Sequence, residues 1–129
     1  MGLITSIGND LNTVTKSLRE MKHGIEHHPE LQGDDSPVKL AGTVKEFDVE
    51  SADPEDWTYP EQYRVPRATL RSFSPHVLYA WCALQQAIKD AGLSEEEIKD
   101  PEAGMYTSSG GSMRSIHKHF EKMDARGVM

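Results

Sequence analysis

At 129 residues the chain has the length of one domain, and its single cysteine, Cys82, excludes an intramolecular disulfide and any Cys₄ or Cys₂His₂ zinc site. A net charge of -7 and a sequence pI of about 5.3 disfavour non-specific binding to nucleic acid and to anionic membranes. With 36% hydrophobic residues and a mean hydropathy of -0.61, the chain reads as a small domain or part-domain around one strongly buried element, with no transmembrane stretch.

The first ten residues, MGLITSIGND, lack the basic start and long apolar run of a signal peptide, so a cytoplasmic location is expected. The short apolar segment 3–7 reads as a strand end or a turn, closed by Gly8 and Asn9. Asn9 or Asp10 then caps a helix expected to run to about Lys22, where Gly24 stops it. Leu11, Val14, Leu18 and Met21 form its apolar face. Segment 26–36, with Pro29, Gly33, Asp34 and Asp35, has loop chemistry. A short strand is expected over 39–44, with a bulge at Gly42. Segment 51–66 reads as an irregular surface connection, pinned to the body by Trp57, Tyr59 and Tyr63.

A helical turn over 67–73 leads into the dominant element, a helix over 74–93. Val77, Leu78, Trp81, Cys82, Leu84 and Ile88 recur at the spacings of a buried helical face. Ser74 suits the N-cap, Pro75 the first helical position and Gly92 the position just past the end. Ser94 and Glu97 then have the spacing of a capping box for a short helix ended by Asp100 and Pro101. Segment 103–108 reads as a buried strand, 108–112 as a glycine turn, and 113–126 as a last helix with Met113, Ile116, Phe120 and Met123 on one face. Strands interleaved with helices point to the α/β class.

Little in this pattern carries chemistry. A catalytic thiol needs a helix N-terminus or a cationic neighbour to populate its thiolate. Cys82 lies mid-helix between Trp81 and Ala83 and reads as a small packing residue. His23, His27 and His28, and likewise His117 and His119, lack the spacing of a metal site. The turn Ser108-Ser109-Gly110-Gly111-Ser112 follows a predicted strand and precedes a predicted helix, so its amides could cradle an anion. It lacks the P-loop lysine and the dinucleotide-binding glycine spacing, and on pattern alone a plain tight turn is favoured.

Taken together, several segments resemble the N-terminal part of a β-ketoacyl synthase, a condensing enzyme of the thiolase-like superfamily. Residues 2–9, GLITSIGN, are similar to the family's opening G-I-V-S-P-I-G-N. Ser17-Leu18 through Lys22-His23-Gly24-Ile25 resembles S-L-x-x-G-x-S-G-I, and residues 41–48, AGTVKEFD, resemble A-G-x-V-K-D-F. Arg71-Ser72-Phe73, followed by a helix ending in residues 87–93, AIKDAGL, resembles R-x-M … A-x-x-D-A-G-L. Ser109-Gly110-Gly111-Ser112 resembles the glycine-rich turn after the next strand. The order and spacing of these weak motifs span nearly the whole chain.

The resemblance implies the N-terminal portion, 1–129, of a layered thiolase-like α/β fold. It implies the family's chemistry for a full-length relative: an acyl group held on a cysteine as a thioester, then Claisen condensation with a malonyl group that loses CO₂. The family pattern also has an apolar strand ahead of its first glycines, and Met1 lies inside that region. Its nucleophilic cysteine sits at a strand-to-helix elbow. That elbow, two catalytic histidines and a lysine all lie beyond the position matched by Met129. No residue here is therefore expected to be catalytic, Cys82 included, and the segment alone is expected to be inactive.

No cofactor or metal is implied. The implied partners are acyl carrier protein, the remainder of the synthase or a second synthase subunit, and a homo- or hetero-dimer mate, with no nucleic acid and no membrane. Ser109, Gly110 and Gly111 are the substrate-binding residues that the resemblance implies, near the acyl pocket. Gly110 falls where some members carry a bulky gate for the acyl tail. The alternative is a truncated family member serving as a non-catalytic interaction or dimerisation module. A coenzyme A-dependent, thiolase-type transfer is more distant.

Overall fold

The computed structural model describes residues 1–33, 35–108 and 113–127. Among the described residues the regular structure consists of five α-helices, one two-stranded sheet and 3₁₀ turns at Pro29–Leu31 and Pro54–Asp56: α1 (Leu11–Arg19), β1 (Ile25–His27), β2 (Leu40–Gly42), α2 (Arg67–Leu70), α3 (Pro75–Ala91), α4 (Glu95–Ile98) and α5 (Met113–Ala125). Strand and helix are thus mixed, compatible with part of an α/β fold.

The N-terminal segment makes one tight turn, in which Thr5 and Gly8 exchange backbone hydrogen bonds. Asp10 then caps α1, its carboxylate accepting from the Thr13 amide at 2.9 Å and the Thr13 hydroxyl at 2.6 Å. These bonds, the hydroxyl first, hold the Asp10 carboxyl below its ordinary 3.8. The helix ends earlier than the expected Lys22. Met21 turns into the left-handed region at φ 54°, and the Lys22 amide reaches back to the Ser17 carbonyl at 2.8 Å. Gly24 does not stop the helix. It brings the chain against Ser6, where an added Cβ would lie 2.5 Å from the Ser6 carbonyl oxygen.

Segment 26–36 is not all loop. Residues Ile25–His27 pair antiparallel with Leu40–Gly42, in the register Ile25 to Gly42, Glu26 to Ala41 and His27 to Leu40. The partner strand supplies what the loop-like composition obscured: a hydrogen-bonding row fifteen residues away along the chain. Segment 51–66 is irregular as expected, with one turn of 3₁₀ helix at Pro54–Asp56.

The core gathers around α3. Leu78 and Cys82 have no exposed surface, and Trp57, Tyr63, Val65 and Leu70 close over them. Trp57 keeps its indole N–H satisfied by donating to the Ser51 carbonyl at 2.8 Å. Phe47 meets Tyr79 edge-on at 5.2 Å, and Phe73 packs on Trp81 at 5.9 Å. Gly92, at φ 67°, closes α3. Ser94 and Glu97 form the capping box of α4, which holds the Glu97 carboxyl below its ordinary range.

The strand expected over 103–108 does not form. That segment is irregular and exposed, with Met105 at 66% and Tyr106 fully exposed. Its apolar composition suits a strand, but no neighbouring strand among the described residues offers a ladder.

Candidate functional site

Helix α3 has two apolar sides with different fates. The stripe Leu78, Cys82 and Gln86, spaced by four, faces inward. Gln86 continues this stripe and ties three parts of the chain together. Its side-chain oxygen accepts from the Leu3 amide at 3.1 Å. Its amide nitrogen donates to the Asn9 carbonyl and to the Tyr63 hydroxyl, each at 2.6 Å. Sequence reasoning missed it, because only apolar positions were counted on that face. The four-residue step from Cys82 was the available signal.

Gly2 completes the docking of the N-terminal segment. An added Cβ there would fall 1.7 Å from the Ala83 carbonyl oxygen, so only glycine permits this approach. The Met1 ammonium pairs with Asp90, about two turns further along α3.

The other side of α3 is open. Val77, Ala80, Trp81 and Leu84 line a groove of about 820 Å³, bordered across from the helix by Met105, Tyr106, Thr107 and Ser108. Its walls are mostly aliphatic and aromatic. Such a surface takes up an apolar chain or another apolar face rather than an ion. The groove reaches Ser108, the first residue of the segment 108–112 that reads from sequence as a glycine turn. Ser109, Gly110 and Gly111 lie outside the described residues.

Cys82 is buried on the opposite, inward side of α3. Burial pushes its thiol up from an ordinary 9.0 to about 11. A neutral thiol sealed in apolar surroundings is a packing group, as its mid-helix position suggested.

The histidines do not converge. His23 and His27 are exposed, His27 within β1. His28 turns a buried Nδ1 inward with no hydrogen-bond partner. His117 lies 3.3 Å from Glu121 on the surface of α5. Among the described residues no three His, Cys, Asp or Glu side chains cluster as metal ligands.

A second, more polar cavity of about 370 Å³ lies where α5 meets the segment before Trp57, with Arg71, Lys118 and His119 on its wall. Carboxylates neutralise its cations locally: Lys118 pairs with Glu50 at 3.4 Å and Arg71 pairs with Glu55, while nearby Lys122 pairs with Asp53 at 3.0 Å. Lys122, ahead of the Glu55 amide, holds the Asp53 carboxyl below its ordinary range. No helix among the described residues is long and apolar enough to cross a membrane.

Comparison with known proteins gives this arrangement its context. The family model for the β-ketoacyl synthase N-terminal domain matches residues 1–128. The chain is 31% identical over 131 residues to 3-oxoacyl-[acyl-carrier-protein] synthase 1 of Haemophilus influenzae, covering 98% of this chain and 29% of that protein. It is 33% identical over 112 residues to the enzyme of the same name from Escherichia coli strain K12, covering 86% of this chain and 24% of that one. With 3-oxoacyl-[acyl-carrier-protein] synthase 2 of Staphylococcus aureus the identity is 27% over 126 residues, covering 96% of this chain and 28% of that one. The chain thus spans less than a third of the length of these curated relatives. No solved structure gives a significant match. The family match runs from the docked N-terminal turn through α3 and α5, and the chain belongs to the β-ketoacyl synthase family, as an N-terminal segment.

Proposed function

We propose that the chain is the N-terminal part of a 3-oxoacyl-[acyl-carrier-protein] synthase, an acyltransferase that extends acyl chains in the cytoplasm. The match to two synthase 1 enzymes at 31% and 33% identity carries this reading. In the proposed reaction an acyl group passes from its carrier thioester to a cysteine thiolate and frees the carrier thiol. Malonyl-acyl carrier protein then loses CO₂, and the resulting enolate attacks the acyl-cysteine carbonyl. The carbon–sulfur bond breaks, the thiolate is regenerated, and 3-oxoacyl-acyl carrier protein leaves.

This segment takes no covalent part in these steps. The sealed Cys82 thiol, pushed up to about 11, supports that assignment. The nucleophile, the histidines and the oxyanion hole come from the remainder of the synthase. What this chain supplies is the scaffold of the acyl site. The apolar wall of α3 borders Ser108, which leads into the glycine-rich segment. By family resemblance Ser109, Gly110 and Gly111 bind the acyl substrate, and Gly110, lacking a side chain, leaves the acyl channel open or shaped by its neighbours. Helix α3 is then an inner helix of a layered thiolase-like fold. Its open side is covered by sheet from the remainder, within a dimer that receives acyl carrier protein.

The test is a chimera. Residues 1–128 replace the matching segment of the E. coli synthase, and 3-oxoacyl-acyl carrier protein formation is followed with acyl donors of several lengths. Condensation above background is the expected result. Gly110→Ile in the chimera should lower the rate with long acyl donors about tenfold or more relative to short ones, through steric closure of the channel. A folded, dimeric chimera with no condensation would favour a non-catalytic interaction module instead. Unchanged chain-length preference in Gly110→Ile would remove the gate assignment.

A further inference from the structure

We draw no further inference here: the strongest candidate, the open apolar groove between the outer side of α3 and segment 105–108, belongs to the acyl-site scaffold already proposed, and nothing in the structure shows what else covers it.

Discussion

Cys82 and Gln86 sit four residues apart on one stripe of α3, and their side chains fare differently for a physical reason. A thiol tolerates an apolar site as a neutral group, whereas a primary amide must find partners there. The Cys82 thiol is raised in the folded chain, so in the unfolded chain it ionises first as pH rises. Its contribution to stability is complete below about 9 and is lost as pH rises toward about 11. At pH 8 the native chain should therefore react with iodoacetamide at least about a hundredfold more slowly than the urea-unfolded chain, because two pKa units and burial both suppress the thiolate. Incubation with acyl-acyl carrier protein should leave no thioester on Cys82 by mass spectrometry. Ready alkylation or acylation of the native thiol would overturn its packing role.

Gln86 lends itself to a different measurement. Gln86→Ala leaves the Leu3 amide, the Asn9 carbonyl and the Tyr63 hydroxyl without this partner. The local cost is about 1–3 kcal/mol, read as faster hydrogen exchange at the Leu3 amide. Gln85→Ala, at the exposed neighbouring position, should leave that exchange unchanged. Equal behaviour of the two variants would mean that the N-terminal segment is held by packing alone.

At the scale of elements, α3 and α5 are held by different forces. The inward side of α3 is fastened by close packing that salt does not touch. Helix α5 turns its apolar residues outward, with Met113, Ile116 and Phe120 each about half exposed or more. Its basic residues Lys118 and Lys122 make the tethers, to Glu50 and Asp53. Raising the ionic strength to about 1 M shortens the screening length to about 3 Å, so these pairs weaken while the core does not. Amide exchange in α5 should quicken at high salt, and Lys122→Ala should produce the same change at low salt. The Asp53 carboxyl is held below its ordinary 3.8, so its tether is fully present above that pH and is lost as pH falls below it. Salt-independent exchange in α5 would show that its packing, not its charge, holds it.

Much of the element pattern was readable from the residues because its determinants are local. Asp10 before α1, Pro75 at the start of α3, Gly92 after it and the Ser94–Glu97 box each act within one helical turn, and each falls where expected. The errors cluster where the deciding partner is distant. Ile25–His27 became a strand because Leu40–Gly42 lies beside it. Segment 103–108 failed to become one because no strand lies beside it among the described residues. A strand's backbone groups are satisfied only by a neighbour, whereas a helix satisfies its own.

At the scale of the molecule, the chain exposes much apolar surface: the open side of α3, Leu18 and Met21 on and beyond α1, and the outer side of α5. Such surface marks interfaces and promotes association. Size-exclusion chromatography with light scattering should show the isolated chain as self-associated at micromolar concentration. Urea unfolding should be broad rather than sharply cooperative. A monodisperse monomer with a single steep transition would contradict this.

The sequence by itself determined the family, the caps that start α1, α3 and α4, the end of α3 at Gly92, the burial of Cys82 and the central place of α3. All of these follow from residue order or from interactions within a turn of helix. Only the tertiary structure decided which side of α3 is covered, that Gly2 and Gly24 serve close backbone approach, and that Gln86 joins three segments. These depend on atoms brought together from far apart in the chain, and helical periodicity marks an apolar face without naming what will meet it.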